Sequence, residues 1–252
     1  MPHDELTHTQ RERAESFGAV AADYDRYRPG YPTELIDDLV ALRPSAVLDI
    51  GCGTGKASRL LAERGLRVLG VEIDPHMAAV ARSHGTEVEV AGFEQWDDRG
   101  RTFDLITCAQ AWHWVDPALG APKILGLLNP GGTAALFWNF ADFDPKTQAV
   151  VDDVYRRFAP ELADPPSAGD DRTHLTTLEA TGVFSSITTH TYEWQRTDSA
   201  EQWVGNIGTQ SNHLLLGAER LRELQRALLA ALDAAGGEVH HTGGTYTIWA
   251  RP

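Results

Sequence analysis

The stretch Val47-Leu48-Asp49-Ile50-Gly51-Cys52-Gly53-Thr54-Gly55 constrains this chain more than any other. A short apolar run that meets three alternating glycines, followed by helical periodicity over residues 56–64 with Leu60 and Leu61 inward, predicts a buried strand, a tight turn and a helix. Glycine lets the backbone approach a ligand closely, and the helix that follows begins with unpaired amide N–H groups. Three ligand classes use such a turn, and spacing separates them. A dinucleotide fingerprint requires glycine where Lys56 stands, and a phosphate-binding P-loop requires glycine at Ile50 and Ser or Thr at Ala57. This chain meets neither pattern.

The residues instead place one acid, Asp49, just before the glycines and a second, Glu72, at the close of the next apolar run, about 20 residues on. A carboxylate in the second position accepts hydrogen bonds from the 2′- and 3′-hydroxyls of a ribose. Asp49 offers negative charge where a cationic amino-acid moiety sits. A nucleoside joined to a charged amino acid, as in S-adenosylmethionine, suits both.

The rest of the chain supplies the sheet around this turn. Apolar runs at residues 46–50, 67–72, 88–90, 103–107 and 133–138 alternate with helical patterns at 56–64, 75–83 and 117–128. That alternation predicts a doubly wound α/β fold, a parallel sheet with helices on both faces. Asp74-Pro75 reads as a cap and first helical residue, and Asn129-Pro130-Gly131-Gly132 as the turn before the fifth strand. Upstream, residues 9–26 carry Phe17, Val20, Ala21 and Tyr24 at helical spacing. The prolines of Arg28-Pro29-Gly30-Tyr31-Pro32 then force a bend, and a second helix covers 33–42 with Thr33 as N-cap. Beyond Asn139 the pattern predicts a helix over 145–158, a Pro- and Asp-rich loop through Asp171, a helix over 173–181, a strand over 187–194 and a last strand over 245–250. Residues 198–237, between those two strands, are mostly helical and too long for a hairpin connection, so they are expected to cap the active site.

At 252 residues the chain is long enough for one α/β domain with a cap and short for two independent domains. The expected organisation is a single domain over 1–252, with N-terminal cap helices in 1–44, a cofactor-binding core in 45–140 and the inserted cap in 198–237. A net charge of −14 opposes a nucleic-acid partner, since such binders gain affinity by neutralising phosphates with Lys and Arg. No apolar stretch approaches the length that spans a bilayer, and the start lacks a secretory pattern, so a cytoplasmic protein with no membrane partner is expected. The two cysteines, Cys52 and Cys108, form no disulfide framework. His190 and His240-His241 lack ligand spacing with acids or cysteines, so no metal site is expected.

With these residues in order, the chain from about Phe17 to Asn139 resembles the class I S-adenosylmethionine-dependent methyltransferases that act on small molecules. The resemblance implies a Rossmann-like sheet of seven strands with the last strand antiparallel, S-adenosyl-L-methionine as cofactor and S-adenosyl-L-homocysteine as product. By it, Asp49, Gly51 and Gly53 match residues that hold the methionine part, Glu72 the ribose acid, and Met77 the residue that packs on adenine. Phe93-Glu94 matches the loop flanking adenine, and Ile73 and Gln110 join the cofactor set. Gly92 stands where an Asp that bonds the adenine amino group is common, which leaves that contact to the backbone. Arg28-Pro29-Gly30-Tyr31-Pro32 and His113-Trp114 are most similar to the trans-aconitate methyltransferase-like subgroup. Tyr24, Arg28 and Tyr31 are implied to fold over the cofactor, with Arg28 facing its carboxylate.

The implied chemistry is O-, N- or C-methylation of a small-molecule acceptor. His113, after the fourth strand, is the candidate proton acceptor, because imidazole titrates near neutrality. Trp112, Trp114 and Trp138 form the candidate aromatic wall for the acceptor, joined from the cap by Trp203 and His213. Each tryptophan has a core packing role as its plain alternative, and His113 a structural one. Two other functions use the same features: alkyl transfer of another kind from an adenosyl sulfonium, and a non-catalytic module that senses S-adenosylmethionine.

Overall fold

The computed structural model describes residues 15–163 and 173–252. Residues 9–14 of the predicted first helix and most of the Pro- and Asp-rich loop lie outside these. A 3₁₀ turn, Glu15–Val20, leads into α1 (Ala21–Tyr27) and α2 (Thr33–Ala41). There follow β1 (Val47–Ile50), α3 (Lys56–Glu63), β2 (Val68–Glu72), α4 (Pro75–Ser83), β3 (Glu87–Val90), β4 (Phe103–Ala109), α5 (Pro117–Leu127) and β5 (Leu128–Phe143). The last third holds α6 (Pro145–Phe158), α7 (Thr173–Ala180), β6 (Ser186–Ser199), α8 (Ala200–Ile207), α9 (Ser211–Leu214), α10 (Ala218–Ala235) and β7 (Glu238–Arg251).

All seven strands form one sheet in the order β3-β2-β1-β4-β5-β7-β6. β1 to β5 pair in parallel, while β7 runs antiparallel to both β5 and β6. The doubly wound sheet with an antiparallel last strand is therefore the observed fold. β1 is buried along its whole length, as a strand covered on both faces must be. Its side chains alternate between two cores. Leu48 and Ile50 pack with Ile106, Cys108 and Ile124 on one face. Val47 packs on the other with Leu105 and Phe137, under Leu35, Ile36 and Leu39 of α2 and Leu61 of α3. Each such side chain contributes about 1.5–3 kcal/mol by leaving water. A third core joins Val151 and Val154 of α6 to Trp203 of α8 and to Leu224, Leu228 and Leu232 of α10, so the segment between β6 and β7 packs on the body rather than extending from it.

Three Asp-Pro pairs start helices by one device. Asp74 accepts from the N–H groups of His76 and Met77, Asp116 from Ala118, and Asp144 from Lys146 and Thr147, each with proline as the first helical residue. Three local expectations differ from the structure. The 129–132 turn is absorbed into β5, which starts at Leu128 and pairs with β4 through a register irregularity between Phe103 and Leu105. β6 and β7 run to 14 residues each, because their antiparallel pairing continues from Ser186 opposite Arg251 to Ser199 opposite Glu238. Thr33 is the first residue of α2 rather than its cap, a place taken by Pro32.

Candidate active site

The sheet reverses its build direction at β1: β2 and β3 lie to one side, β4 and β5 to the other. Open α/β sheets bind ligands in the crevice at the carboxyl ends of strands that flank such a point. Here a cavity of about 760 Å³ opens there, lined by the ends of β1, β2 and β4 and closed by residues from α1, the 3₁₀ turn before it and the α8–α9 connection.

Its floor is the glycine turn. Gly51 and Gly53 have φ of +61° and +57°, and a Cβ on Gly51 would lie 2.5 Å from the Ala111 Cβ, so only glycine fits that approach. Glu72 closes β2 nearly buried, with one carboxylate oxygen accepting from the Gly53 N–H at 2.8 Å and the other from the Asp74 N–H at 2.9 Å. Each oxygen retains capacity for a second donor. Burial holds the Glu72 carboxyl above its usual range, against the pull of the Asp74 and Gly53 N–H groups. Ile73, Met77 and Phe93 add apolar walls beside it, and Gly92, Glu94 and Gln95 continue that side. The Glu94 carboxylate accepts from the Asp116 N–H at 3.0 Å and so ties the loop after β3 to the start of α5.

The front wall comes from the N-terminal segment. Phe17 stands edge-on to Tyr24, 5.9 Å between centroids, and to Trp114, 6.1 Å. The Arg28 guanidinium lies 5.0 Å over the Tyr24 ring and donates to Thr209 twice, to Oγ1 at 2.8 Å and to the carbonyl at 3.0 Å. Asp25 anchors α1 from behind: it accepts from Arg59, and the His84 ring lies 2.9 Å away. Burial raises the Asp25 pKa, but bonds from Arg59, Thr54 and His84 outweigh that and leave it lowered. Asn139 of β5 joins the lining, donating to the Gly30 carbonyl and accepting from Thr245 Oγ1.

Ten of the twelve residues expected at the cofactor line this one cavity: Tyr24, Arg28, Gly51, Gly53, Glu72, Ile73, Met77, Phe93, Glu94 and Gln110; Tyr31 packs edge-on against Phe137, 4.8 Å between centroids. Asp49 stands apart. It is fully buried behind the turn, where Ser58 Oγ and Thr107 Oγ1 donate to its two oxygens at 2.5 and 2.7 Å, so its carboxylate serves the β1–β4–α3 junction and does not face the cavity. Burial raises its pKa to about 6 despite those two donors.

His113 and Trp114 line the cavity from a 3₁₀ turn after β4, and their rings lie 4.9 Å apart. Trp112, in the same turn, faces the other way into the main core at 2% exposure. Trp138 stacks on His174 of α7 at 4.4 Å and 8°, and His174 in turn lies 5.9 Å from His113. Trp203 packs in the third core against Phe143 rather than in the cavity. His213 is also buried, bonded to Tyr155 and Asn212, and its neighbours Gln210, Ser211 and Asn212 supply the cap's share of the lining. The acceptor wall expected from five residues therefore reduces at the cavity itself to Trp114. Indole rings on amphipathic elements point to a core as readily as to a pocket, and nothing in their spacing distinguishes the two. Sequence reasoning passed over Asn139, Gln210, Ser211 and Asn212, whose polar side chains sit in no motif. Among the described residues no group of three or more His, Cys, Asp or Glu is placed to hold a metal ion, and no helix is long and apolar enough to cross a membrane.

Residues 47–132, from β1 to the middle of the β4–β5 pair, match a methyltransferase-domain family model. An uncharacterized methyltransferase of Mycobacterium tuberculosis is 41% identical over 145 residues, covering 54% of this chain and 57% of the relative. The chain thus spans little more than half the length of that relative. A solved protein of Anaeromyxobacter dehalogenans, described as a candidate type II methyltransferase, aligns at a TM-score of 0.66 and 26% identity over 89% of this chain and 98% of its own. The fold alone is shared with a Haemonchus contortus phosphoethanolamine N-methyltransferase solved with S-adenosylhomocysteine, at a TM-score of 0.53 and 15% identity over 100% of this chain and 60% of that one.

Proposed function

We propose that this chain is a class I S-adenosylmethionine-dependent methyltransferase, a reading supported by the methyltransferase-domain match over residues 47–132, and that it methylates a small organic acceptor bound in the cavity at the carboxyl ends of β1, β2 and β4. The observation that carries this reading is the pairing of Glu72 with the glycine turn: a nearly buried carboxylate with spare acceptor capacity faces a backbone stretch that only glycine can form. The lining fits the cofactor part by part. Glu72 would hold the ribose hydroxyls, Met77, Ile73 and Phe93 the flat base, the Gly51–Gly53 backbone the methionine part, and Arg28 its carboxylate. When bound, S-adenosylmethionine supplies a methyl group already activated on a sulfonium.

The protein's own work is then alignment and exclusion of water. Phe17, Tyr24 and Trp114 place π faces and edges around the front of the cavity, where they exclude water and attract a cation. Arg28, fixed to Thr209, joins the front wall to the cap, so closing the front and forming the acceptor side are one event. His113 reaches the same space from the end of β4 and would take the proton of an acceptor that must lose one. A cavity whose lining sets Glu72, Glu94 and Asp116 against Arg28, in a protein of net charge −14, favours a small acceptor over a polyanion.

Incubating the protein with methyl-labelled S-adenosylmethionine and a metabolite extract tests the proposal. A labelled small molecule with stoichiometric S-adenosylhomocysteine is the expected outcome. Transfer of a larger alkyl group, or binding with no turnover across extracts, contradicts it.

A further inference from the structure

Tyr155 of α6, His213 of α9 and Asn212 beside it form a chain of hydrogen bonds that ends at the cavity, and donor and acceptor rules fix its direction. The His213 backbone N–H is shared between the Gln210 carbonyl and Asn212 Oδ1, each 3.0 Å away. A backbone N–H only donates, so the amide atom it meets is the oxygen, and the amide cannot be turned over. The same oxygen lies 2.8 Å from His213 Nδ1, which must then carry the ring hydrogen. With Nδ1 protonated in a neutral ring, Nε2 has only a lone pair, and the Tyr155 hydroxyl 2.6 Å away donates to it. Every step is settled by the one before. What remains over is the Asn212 amide nitrogen, with both hydrogens and no hydrogen bond among the described residues, on a residue that lines the cavity.

We propose that Tyr155 and His213 act as positioning residues that hold Asn212 with its amide nitrogen presented as a donor to a carbonyl or carboxylate oxygen of the methyl acceptor. This rests on the methyltransferase reading above and narrows it to acceptors that bear such an oxygen. The arrangement has the properties the role needs. His213 is buried at 4% exposure among α6 and α9 side chains, so its ring cannot touch the acceptor but can fix its neighbour. Burial, with the nearby Arg28 charge, lowers the His213 pKa to about 4, so the ring stays neutral and keeps its tautomer at neutral pH. Burial raises the Tyr155 pKa, so its hydroxyl remains a donor. An unsupported asparagine at an exposed helix start samples several rotamers, and two bonds onto one oxygen remove that freedom before a ligand arrives.

The test is ¹⁵N NMR on the whole chain, free and saturated with S-adenosylhomocysteine. His213 should show a protonated Nδ1 and an unprotonated Nε2 between pH 6 and 8. In the saturated protein, benzamide, a carbonyl probe, should shift both Asn212 side-chain amide protons, toluene should not, and Tyr155→Phe should weaken benzamide binding about three- to tenfold while the ring packing survives. An Nε2-protonated ring, Asn212 signals that benzamide leaves unmoved, or equal responses to benzamide and toluene would each overturn the proposal. Failure of S-adenosylhomocysteine to bind would instead strike the methyltransferase reading, since the tautomer is read in the free protein as well.

Discussion

Glu72, the last residue of β2, accepts a hydrogen bond from the backbone N–H of Gly53 at 2.8 Å, and so couples the second strand to the turn that leaves the first. The two residues are separated by a whole strand–helix–strand unit, yet their bond sets the shape of the cavity floor. It also explains a buried acid in an otherwise apolar strand: the carboxylate is satisfied by two backbone donors before any ligand binds.

The glycine turn should tolerate no side chain at its closest approach. Gly51→Ala combines a left-handed backbone with a Cβ 2.5 Å from that of Ala111. The variant should lose about 2–4 kcal/mol of stability in urea unfolding, together with affinity for S-adenosylhomocysteine. Wild-type stability would show that the turn shifts freely and is not a fixed cradle.

Asp49 should make stability depend on pH. Its folded pKa of about 6 lies above the unfolded value of about 3.9, so the folded state holds the proton more tightly. That contribution is complete below the unfolded value and is lost as pH rises through about 6. Asp49→Asn is neutral throughout and escapes the loss. Relative to wild type it should gain about 1–2 kcal/mol in denaturant unfolding between pH 4.5 and 7.5, and a difference flat across that range would remove the assignment.

The fold was legible because its signals are local: alternation of apolar runs with helical patterns, glycines at the first turn, and Asp-Pro at three helix starts. The β1–β2 side of the cavity was legible for the same reason, since Gly51, Gly53, Glu72, Ile73 and Met77 lie within two consecutive strand–turn–helix units. Asp49 shows the limit. An acid beside the glycines reads as a ligand contact, but alternation along β1 turns it toward Ser58 and Thr107 instead. The opposite side of the cavity is assembled from β4, β5 and the α8–α9 connection, and no periodicity in the sequence says that Trp114 lines the cavity while Trp112, two residues earlier, is core.

His113 is expected to act in the chemical step. His113→Ala should lower kcat by about 100-fold with cofactor affinity nearly intact. A variant with near-normal kcat would leave alignment alone as the source of rate.

Arg28 should couple cofactor to cap. Its two bonds to Thr209 tie the front segment to the end of α8, so Arg28→Ala should weaken S-adenosylhomocysteine binding and expose residues 17–32 to limited proteolysis. In the wild type the ligand should protect the same segment. Cleavage rates unaffected by ligand in both proteins would mean that the front wall packs independently of the site.

Calorimetric titration with S-adenosylhomocysteine of the wild-type chain and of Glu72→Ala tests the cofactor site most directly. The wild type should bind one equivalent, and the variant should bind weaker by about 1.5–3 kcal/mol, tenfold or more, while remaining folded by circular dichroism. No binding to the wild type, or equal affinity in the two proteins, would contradict the placement of the adenosyl group against Glu72 and with it the account of the cavity.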